Sequence, residues 1–355
     1  PMWFALDGEK AEYKYSYNYQ SWYPSAEYET YNTRKNVGLF DLTPFSKFEI
    51  KSDKAHQELQ KICTANIKNE PGKCIYTHML NPDGGIEADL TVVCVEENHY
   101  RIISSAATRE RDKFHINKNL TTNIELSDVT DKYCVFGLFG PKSRELISSI
   151  SKEDFSNKNF KFATGKKIKI NNVETWVQRL SYVGELGYEI YVEFDKAVEI
   201  YSLLINEGKK YNISNCGMHS LDIMRMENGF LHWGHDISPE ENQYQAGLEF
   251  AISFKKNVDF IGKDSLLKIK DSKINKRLMM FRLKDTKPGE PLLLHDEPIY
   301  LDKKIIGRTT SGNYSFNFNT NLAFGYVNSG NTKEGLKGKN PEAVSINASI
   351  DASDI

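Results

Sequence analysis

Short apolar runs of strand period alternate with helix-period segments up to about Lys270, after which the helical signal stops and only broken strands follow. That change of period restricts the chain to an α+β protein with a separate all-β end. Beyond Lys270 the runs are interrupted by Pro288, Gly289, Pro291, Gly307 and Gly312, the punctuation of turns between short antiparallel strands. Ahead of it, residues 90–95 and 100–104 flank Glu96-Glu97-Asn98-His99 as a hairpin. Asn81-Pro82-Asp83-Gly84-Gly85 turns into its first strand, so Asp89 sits where loop and strand join. Tyr133–Phe139, residues 166–170, residues 174–180 and Gly187–Glu193 read as further strands, and Gly140-Pro141 breaks the chain before a helix near Ser143. Asp53 precedes Ala55, Leu59, Ile62 and Ala65 at helical spacing and is expected to cap that helix. Helices over 197–207 and about 219–228 are expected to end at Gly208 and Gly229 in the left-handed conformation. Near the start, Tyr13, Tyr15, Tyr17 and Tyr19 alternate with polar residues, followed by Trp22, Tyr23, Tyr28 and Tyr31. This stretch reads as a strand or arm laid over another surface.

Composition removes several function classes. The 355 residues suffice for two or three domains, and 39% apolar and 12% aromatic content supplies packed cores. A net charge of −2 gives no field toward nucleic acid or an anionic membrane, and no basic patch supports nucleic-acid binding. No apolar run of about 18 residues exists to span a membrane, and the opening residues lack a signal-peptide core. Cys63, Cys74, Cys94, Cys134 and Cys216 form no CxxC pair and are odd in number, which points to buried thiols in a reducing compartment. The expected location is the cytoplasm, or the mitochondrial matrix in a eukaryote. His232 and His235 are close in sequence, but no Cys or carboxylate at ligand spacing completes a metal site. No G-x-G-x-x-G, P-loop, H-E-x-x-H or G-x-S-x-G appears, so no dinucleotide (FAD or NAD) site is expected in this chain. Position 1 is Pro rather than Met, which implies a chain processed or cut from a longer polypeptide.

Three segments remain to carry chemistry: Tyr76-Thr-His-Met-Leu-Asn-Pro-Asp-Gly-Gly-Ile-Glu-Ala-Asp89, Tyr182-Val-Gly-Glu-Leu-Gly-Tyr-Glu189, and Met224-Arg-Met-Glu-Asn-Gly229 followed by Trp233-Gly-His-Asp236. Read alone, each has a plain alternative. Asp89 terminates a turn, and Glu189 is an outward strand carboxylate in a surface ion pair. Arg225 is a helix-surface cation paired with Glu227 or Asp222, and strand tyrosines such as Tyr76 and Tyr188 belong to a core.

Taken together, the segments resemble the glycine-cleavage T-protein (aminomethyltransferase) superfamily, and most of all the folate-binding C-terminal half of dimethylglycine and sarcosine dehydrogenases. The likeness begins at Trp3-Phe4-Ala5 and continues through Val37-Gly-Leu-Phe-Asp-Leu-Thr-Pro-Phe-Ser-Lys-Phe48 and Ser105-Ala-Ala-Thr-Arg-Glu110. It reaches Phe260-Ile-Gly-Lys263 and Gly325-Tyr-Val327, nearly the whole chain.

The resemblance implies a three-lobed fold with mostly antiparallel sheets and a central folate cavity. Residues 1–46 with 137–250 would form the folate-binding domain, residues 47–136 an α+β domain contributing Asp89, and residues 271–355 a barrel-like all-β domain. It implies one-carbon transfer to tetrahydrofolate from an N-methylated glycine derivative, giving 5,10-methylenetetrahydrofolate. The amino-terminal flavin half of those dehydrogenases is not in this sequence, so the implied partners are folate, a small-molecule donor and a flavoprotein domain or subunit.

In that frame Asp89 is the catalytic base. Glu189 accepts the two donors at the rim of the pterin, Arg225 fixes its far edge, and Tyr76, Tyr188, Ser105 and Trp233 complete the folate site. There are departures. Amine-cleaving T-proteins usually carry two adjacent acids where this chain has Ala88-Asp89, and commonly an Asn at Ser105. Val183 replaces a commonly seen Thr, and residues 336–355 lack the expected Pro-containing final strand, which implies a truncated last domain. Two rivals share the fold or the ligand: methyl transfer from a sulfonium such as dimethylsulfoniopropionate, and a folate-binding module without chemistry docked to a flavoprotein. The superfamily's iron–sulfur repair branch is disfavoured, since its Lys-Gly-Cys-Tyr-x-Gly-Gln motif is missing.

Overall fold

The strand-period and helix-period segments assemble into three sheets. A computed structural model describes residues 1–121, 123–301 and 304–328. The chain enters through α1 (Tyr23–Lys35) and β1 (Val37–Asp41), then crosses to β2 (Ser46–Lys51), α2 (Ala55–Ile62), β3 (Cys74–Leu80), β4 (Ile86–Glu96), β5 (His99–Ser104), α3 (Arg109–Asn119) and β6 (Leu126–Asp128). It returns through β7 (Tyr133–Phe139), α4 (Ser143–Ile150), β8 (Gly165–Ile170), β9 (Val173–Gln178), β10 (Gly187–Glu193), α5 (Ala197–Gly208), β11 (Ile213–Cys216) and α6 (Met218–Glu227). A connecting stretch with α7 (Gln243–Ala246) and α8 (Lys263–Asp271) leads to β12 (Lys276–Arg282), β13 (Pro298–Leu301), β14 (Lys304–Ser315) and β15 (Thr320–Asn328).

The central sheet has the order β11-β1-β7-β10-β9-β8, with β1 and β11 parallel and the rest antiparallel. The second sheet is β3-β4-β5-β2-β6 and the C-terminal one β12-β15-β14-β13, both antiparallel. The fold is therefore α+β, with mostly antiparallel pairing and a sheet domain at the C-terminus.

Period-two alternation decides what each sheet face meets. On β10, Tyr188, Ile190 and Val192 pack under α4 and α5 with Leu146, Ile147, Ile200 and Leu204, whereas Tyr191 joins the opposite face. On β4, Ala88, Leu90 and Val92 pack against Leu59 and Ile62 of α2 and Ile116 of α3, and Val93 and Val95 face away. The two faces turned from the helices meet in one shared core, where Phe40, Phe139, Trp176 and Tyr191 contact Cys74, Val93 and Val95. The result is a helix–sheet–sheet–helix sandwich, and residues 89 of β4 and 189 of β10 lie on its inner faces.

The connecting stretch locks onto the turn before Asp89. Ile237, Tyr244, Leu248 and Phe260 bury Leu80 and Ile86, and a Cβ on Gly85 would lie 1.9 Å from the Pro239 carbonyl oxygen. Only glycine permits that approach. The C-terminal sheet is fastened by Arg225, 2% exposed on α6. Its guanidinium donates to Asp222 at 2.8 Å, the Phe230 carbonyl at 3.0 Å, Asp236 at 2.6 Å and Ser311 of β14 at 2.9 Å. Asp236 in turn accepts from Thr310 at 2.6 Å and Ser311 at 2.8 Å.

Four expectations are corrected. Tyr23, Tyr28 and Tyr31 lie on α1, started by Pro24 at its first turn, although residues 1–22 form an arm without strand pairing. Asp53 is one residue short of the helix boundary and makes no cap; Lys54 occupies that position, with no side-chain cap bond. The helix ending at Gly208 runs into a one-turn 3₁₀ helix, and Asn212, with φ 54°, takes the left-handed position instead. Tyr133–Gly137 already pairs in the central sheet, so the chain crosses back at the turn Thr130–Lys132, ahead of residue 137. The expected missing final strand falls on residues 336–355, outside the described residues.

Removing one member of a buried, hydrogen-bonded ion pair leaves the other charge desolvated. Arg225→Ala should therefore cost about 3–5 kcal/mol in urea unfolding. The paired Arg225→Met/Asp236→Leu replacement should recover most of that loss, and a cost under about 1 kcal/mol for Arg225→Ala would contradict the clasp.

Candidate functional site

The register of the second sheet sets His78 of β3 directly opposite Asp89 of β4, and Tyr76 opposite Thr91. Cys74, Tyr76 and His78 alternate onto the same inner face as Asp89. Ser105 follows Ser104, which pairs with Leu90, so it lies beside Asp89 just past the end of the ladder; its carbonyl accepts from Ser46 Oγ at 2.9 Å. Across the sandwich, Glu189 of β10 sits between Gly137 of β7 and Gln178 of β9. Burial, and after it the Glu189 carboxylate, raises the pKa of the Cys74 thiol; burial likewise raises that of the Tyr182 phenol, with Arg225 opposing and Asp89 adding to the rise. The two acids therefore lie on the facing inner sides of the two sheets, Cys74 beside Glu189 and Tyr76 and Tyr182 beside Asp89.

Glu189 is held by neutral donors, whereas one oxygen of Asp89 is not. Gln178 Nε2 donates to Glu189 Oε2 at 2.7 Å and the Tyr191 hydroxyl donates to the same oxygen at 3.0 Å. Trp176 Nε1 donates to Gln178 Oε1 at 3.3 Å, which fixes the amide with its nitrogen toward the carboxylate. Among the described residues nothing engages Glu189 Oε1. Asp89 Oδ1 is buried without a hydrogen-bond partner, 3.8 Å from His78 Nε2.

Among the described residues no cation stands beside them, and both acids are pushed toward the neutral form. Burial raises the Asp89 carboxyl to about 7; the Tyr76 hydroxyl holds it back and the Asp112 carboxylate adds to the rise. Burial likewise raises Glu189, against the donors Gln178 and Tyr191. His78 is wholly buried and lowered to about 3, so it is neutral at any ordinary pH. Tyr76 is 37% accessible, yet desolvation, then Asp89, lifts its phenol far above the usual range. Its ring stacks on Phe250, itself exposed, at 6.0 Å.

The other expected residues sit differently. Tyr188 faces the helices, packed between Phe155 at 5.5 Å and Phe160 at 5.7 Å, so it is core and cannot touch a ligand beside Glu189. Arg225 spends its guanidinium on the inter-domain clasp. Trp233 donates its indole N–H to the Ile86 carbonyl at 3.0 Å and is covered by Arg111 at 4.5 Å, so it bolts the connecting loop to the start of β4. Sequence reading passed over Tyr191, Gln178, Tyr182, His78 and Gln243. Tyr191 was within reach of a parity argument, since it shares a strand face with Glu189 and Tyr188 does not. Tyr182 stacks on Phe230 at 5.7 Å and donates to the Leu231 carbonyl. Among the described residues, no cluster of His, Cys, Asp and Glu could hold a metal ion, and no helix is long and apolar enough to cross a membrane.

Residues 2–256 match the family model described as GCVT N-terminal domain, and residues 276–341 the one described as Glycine cleavage T-protein C-terminal barrel domain. The chain is similar to 4-methylaminobutanoate oxidase (formaldehyde-forming) of Paenarthrobacter nicotinovorans, 36% identical over 313 residues that cover 88% of this chain and 38% of that protein. It is 32% identical over 332 residues to mitochondrial dimethylglycine dehydrogenase of Homo sapiens, covering 92% of this chain and 38% of that one. To the aminomethyltransferase of Halothermothrix orenii it is 32% identical over 296 residues, 83% of this chain and 81% of the relative. The crystal structure of glycine cleavage system aminomethyltransferase T from Bartonella henselae superposes with a TM-score of 0.79 at 20% identity, over 93% of this chain and 91% of that one, and shows the shared fold. The chain thus spans 38% of the length of the first two relatives.

An acid whose folded pKa is raised makes the native state bind more protons than the unfolded chain. Its contribution is most favourable at low pH and is lost as pH climbs from the unfolded value near 4 to about 7. Asp89→Asn should therefore be more stable than the parent at pH 8, by on the order of 1–3 kcal/mol in denaturant titrations, with the gap closing toward pH 4. Equal stability of the two proteins at pH 8 would contradict the uncompensated burial.

Proposed function

This chain belongs to the glycine cleavage T-protein family, and from there we propose that it transfers a one-carbon unit, released from an N-methylated glycine derivative, to tetrahydrofolate to form 5,10-methylenetetrahydrofolate. The observation that carries this reading is the pair of partly buried carboxylates, Asp89 and Glu189, on the facing sides of two sheets, each with an oxygen left unengaged. The residues fit the ligand. A reduced pterin offers a ring N–H and an amino group side by side, both donors, and an acceptor with desolvated, unfilled lone pairs is their complement. Glu189 Oε2 already accepts two bonds, so Oε1 is the atom that receives the pterin, a narrower grip than one shared by both oxygens. Tyr76, with Phe250 stacked behind it, supplies an aromatic wall.

Tetrahydrofolate supplies the weakly basic nitrogen that takes up the carbon. Asp89 accepts the proton that leaves that nitrogen as the new N–C bond forms on the iminium carbon, and its charge stabilises the cation formed on the way. The proton returns to the donor amine, whose own C–N bond breaks as the second folate nitrogen closes on the carbon. A carboxyl lifted to about 7 is half ionised near neutral pH, poised both to take and to release a proton. We assign the oxidation of the donor amine, named for the oxidase and dehydrogenase relatives, to a flavoprotein domain or subunit and the folate chemistry to this chain.

Calorimetry with tetrahydrofolate, run beside a transfer assay, tests the division of labour. Asp89→Asn should bind folate as the parent does and lose transfer by about 10²–10⁴-fold. Glu189→Ala should weaken binding itself by at least about tenfold. A parental transfer rate in Asp89→Asn would overturn the assigned base, and methyltetrahydrofolate as the product would replace the amine donor with a sulfonium.

A further inference from the structure

His78 is 0% exposed, does not titrate in any ordinary range and has no direct place in the transfer step, yet it lies across the ladder from Asp89. Its hydrogen bonds determine which way protons point in the array around that acid. Thr64 Oγ1 donates to the Ala251 carbonyl at 2.9 Å, so its single proton is spent and it can only accept from Gln243. Gln243 Nε2 is 3.1 Å from Thr64 Oγ1 and 2.8 Å from His78 Nδ1. The reversed amide would set its oxygen against a hydroxyl whose proton is already committed, so the nitrogen faces both. Nδ1 is then an acceptor, and a neutral imidazole carries its one proton on Nε2. Nε2 lies 3.1 Å from the Tyr76 hydroxyl and 3.8 Å from Asp89 Oδ1. Tyr76 accepts from His78, which leaves its own proton free for a different acceptor.

We propose that Gln243 and His78 are positioning residues whose hydrogen bonds run in one direction only, compelling Tyr76 to present its hydroxyl proton to Asp89. With the opposite tautomer, His78 Nε2 would take the Tyr76 proton and Asp89 would lose a donor. The array thus sets how readily the base holds a charge, without His78 touching a ligand. The groups that face Asp89 are Tyr76 and His78 from β3, Asp112 from α3 and Tyr182 from the loop before β10. Of these, only Tyr76 and His78 supply protons whose direction the array controls. The inference rests on the preceding reading only in calling Asp89 the base. The proton positions are a property of the free protein and are measured without folate.

The full chain with ¹⁵N-labelled histidine, free of ligand, should show His78 protonated at Nε2 and bare at Nδ1 from pH 5 to 9, its signals assigned by their loss in His78→Gln. In ¹³C-aspartate-labelled protein, with Asp89→Asn for assignment, Tyr76→Phe should move the Asp89 titration upward by about one pH unit, roughly tenfold in proton concentration. Gln243→Glu offers an acceptor to Nδ1 and should produce a similar rise, which shrinks by at least half in the Tyr76→Phe background. A proton on Nδ1 in the parent, a His78 that titrates in this range, or an equal Gln243→Glu shift in both backgrounds overturns the proposal, the last being a bare charge effect. If Gln243→Glu does not fold, the parental tautomer and the Tyr76→Phe shift decide it. A correct tautomer in a protein that transfers no carbon would sink the function and leave this inference standing.

Discussion

Two partly buried carboxyl groups stand on the facing sides of a sheet–sheet sandwich, and among the described residues no cation neutralises either. Burying a charge in this way is costly, and apolar side chains at residues 89 and 189 would relieve the cost at once. Gln178 and Tyr191 donate to Glu189 and the neighbouring Tyr76 hydroxyl tempers the rise of Asp89, which reduces the penalty and leaves a lone-pair surface unfilled. An unfilled acceptor in a desolvated setting is complementary to a ligand rich in N–H donors.

The rest of the architecture holds the two faces in register. Helices cover the outer side of each sheet, so the inner faces must meet one another, and the shared core of Phe139, Trp176, Val93 and Val95 fixes their separation. Gly85 and the Arg225–Asp236 clasp tie the connecting stretch and the C-terminal sheet to the turn and the helix that border the site. The domains thus act on the site through the backbone that carries it. Arg225 contributes by holding a joint closed, which accounts for a buried cation that makes four hydrogen-bonded contacts.

Much of this was legible beforehand, and the failures have physical causes. Strands β7 and β10 and the β4–β5 hairpin follow from β-branched runs bounded by turn residues, because local pattern and tertiary demand agree there. Helix α1 was hidden by tyrosines whose spacing fits an extended arm and, two turns later, a helix surface equally well. Tyr188 was misassigned by a single step, since neighbouring residues on a strand face opposite sides, and the motif names both without saying which side is wet. Arg225 was assigned to the far edge of the pterin because its partner Ser311 is 86 residues away, and no local pattern announces a contact at that separation. His78 and Gln243, 165 residues apart, escaped for the same reason.

A crystal structure of the chain with bound tetrahydrofolate would test the central claim most directly. The account predicts the pterin between the inner faces of β4 and β10, its N–H donors on Glu189 Oε1 and its carbon-accepting nitrogens about 3 Å from Asp89, or one water away. A folate lodged elsewhere, with Asp89 and Glu189 untouched by it, would contradict it.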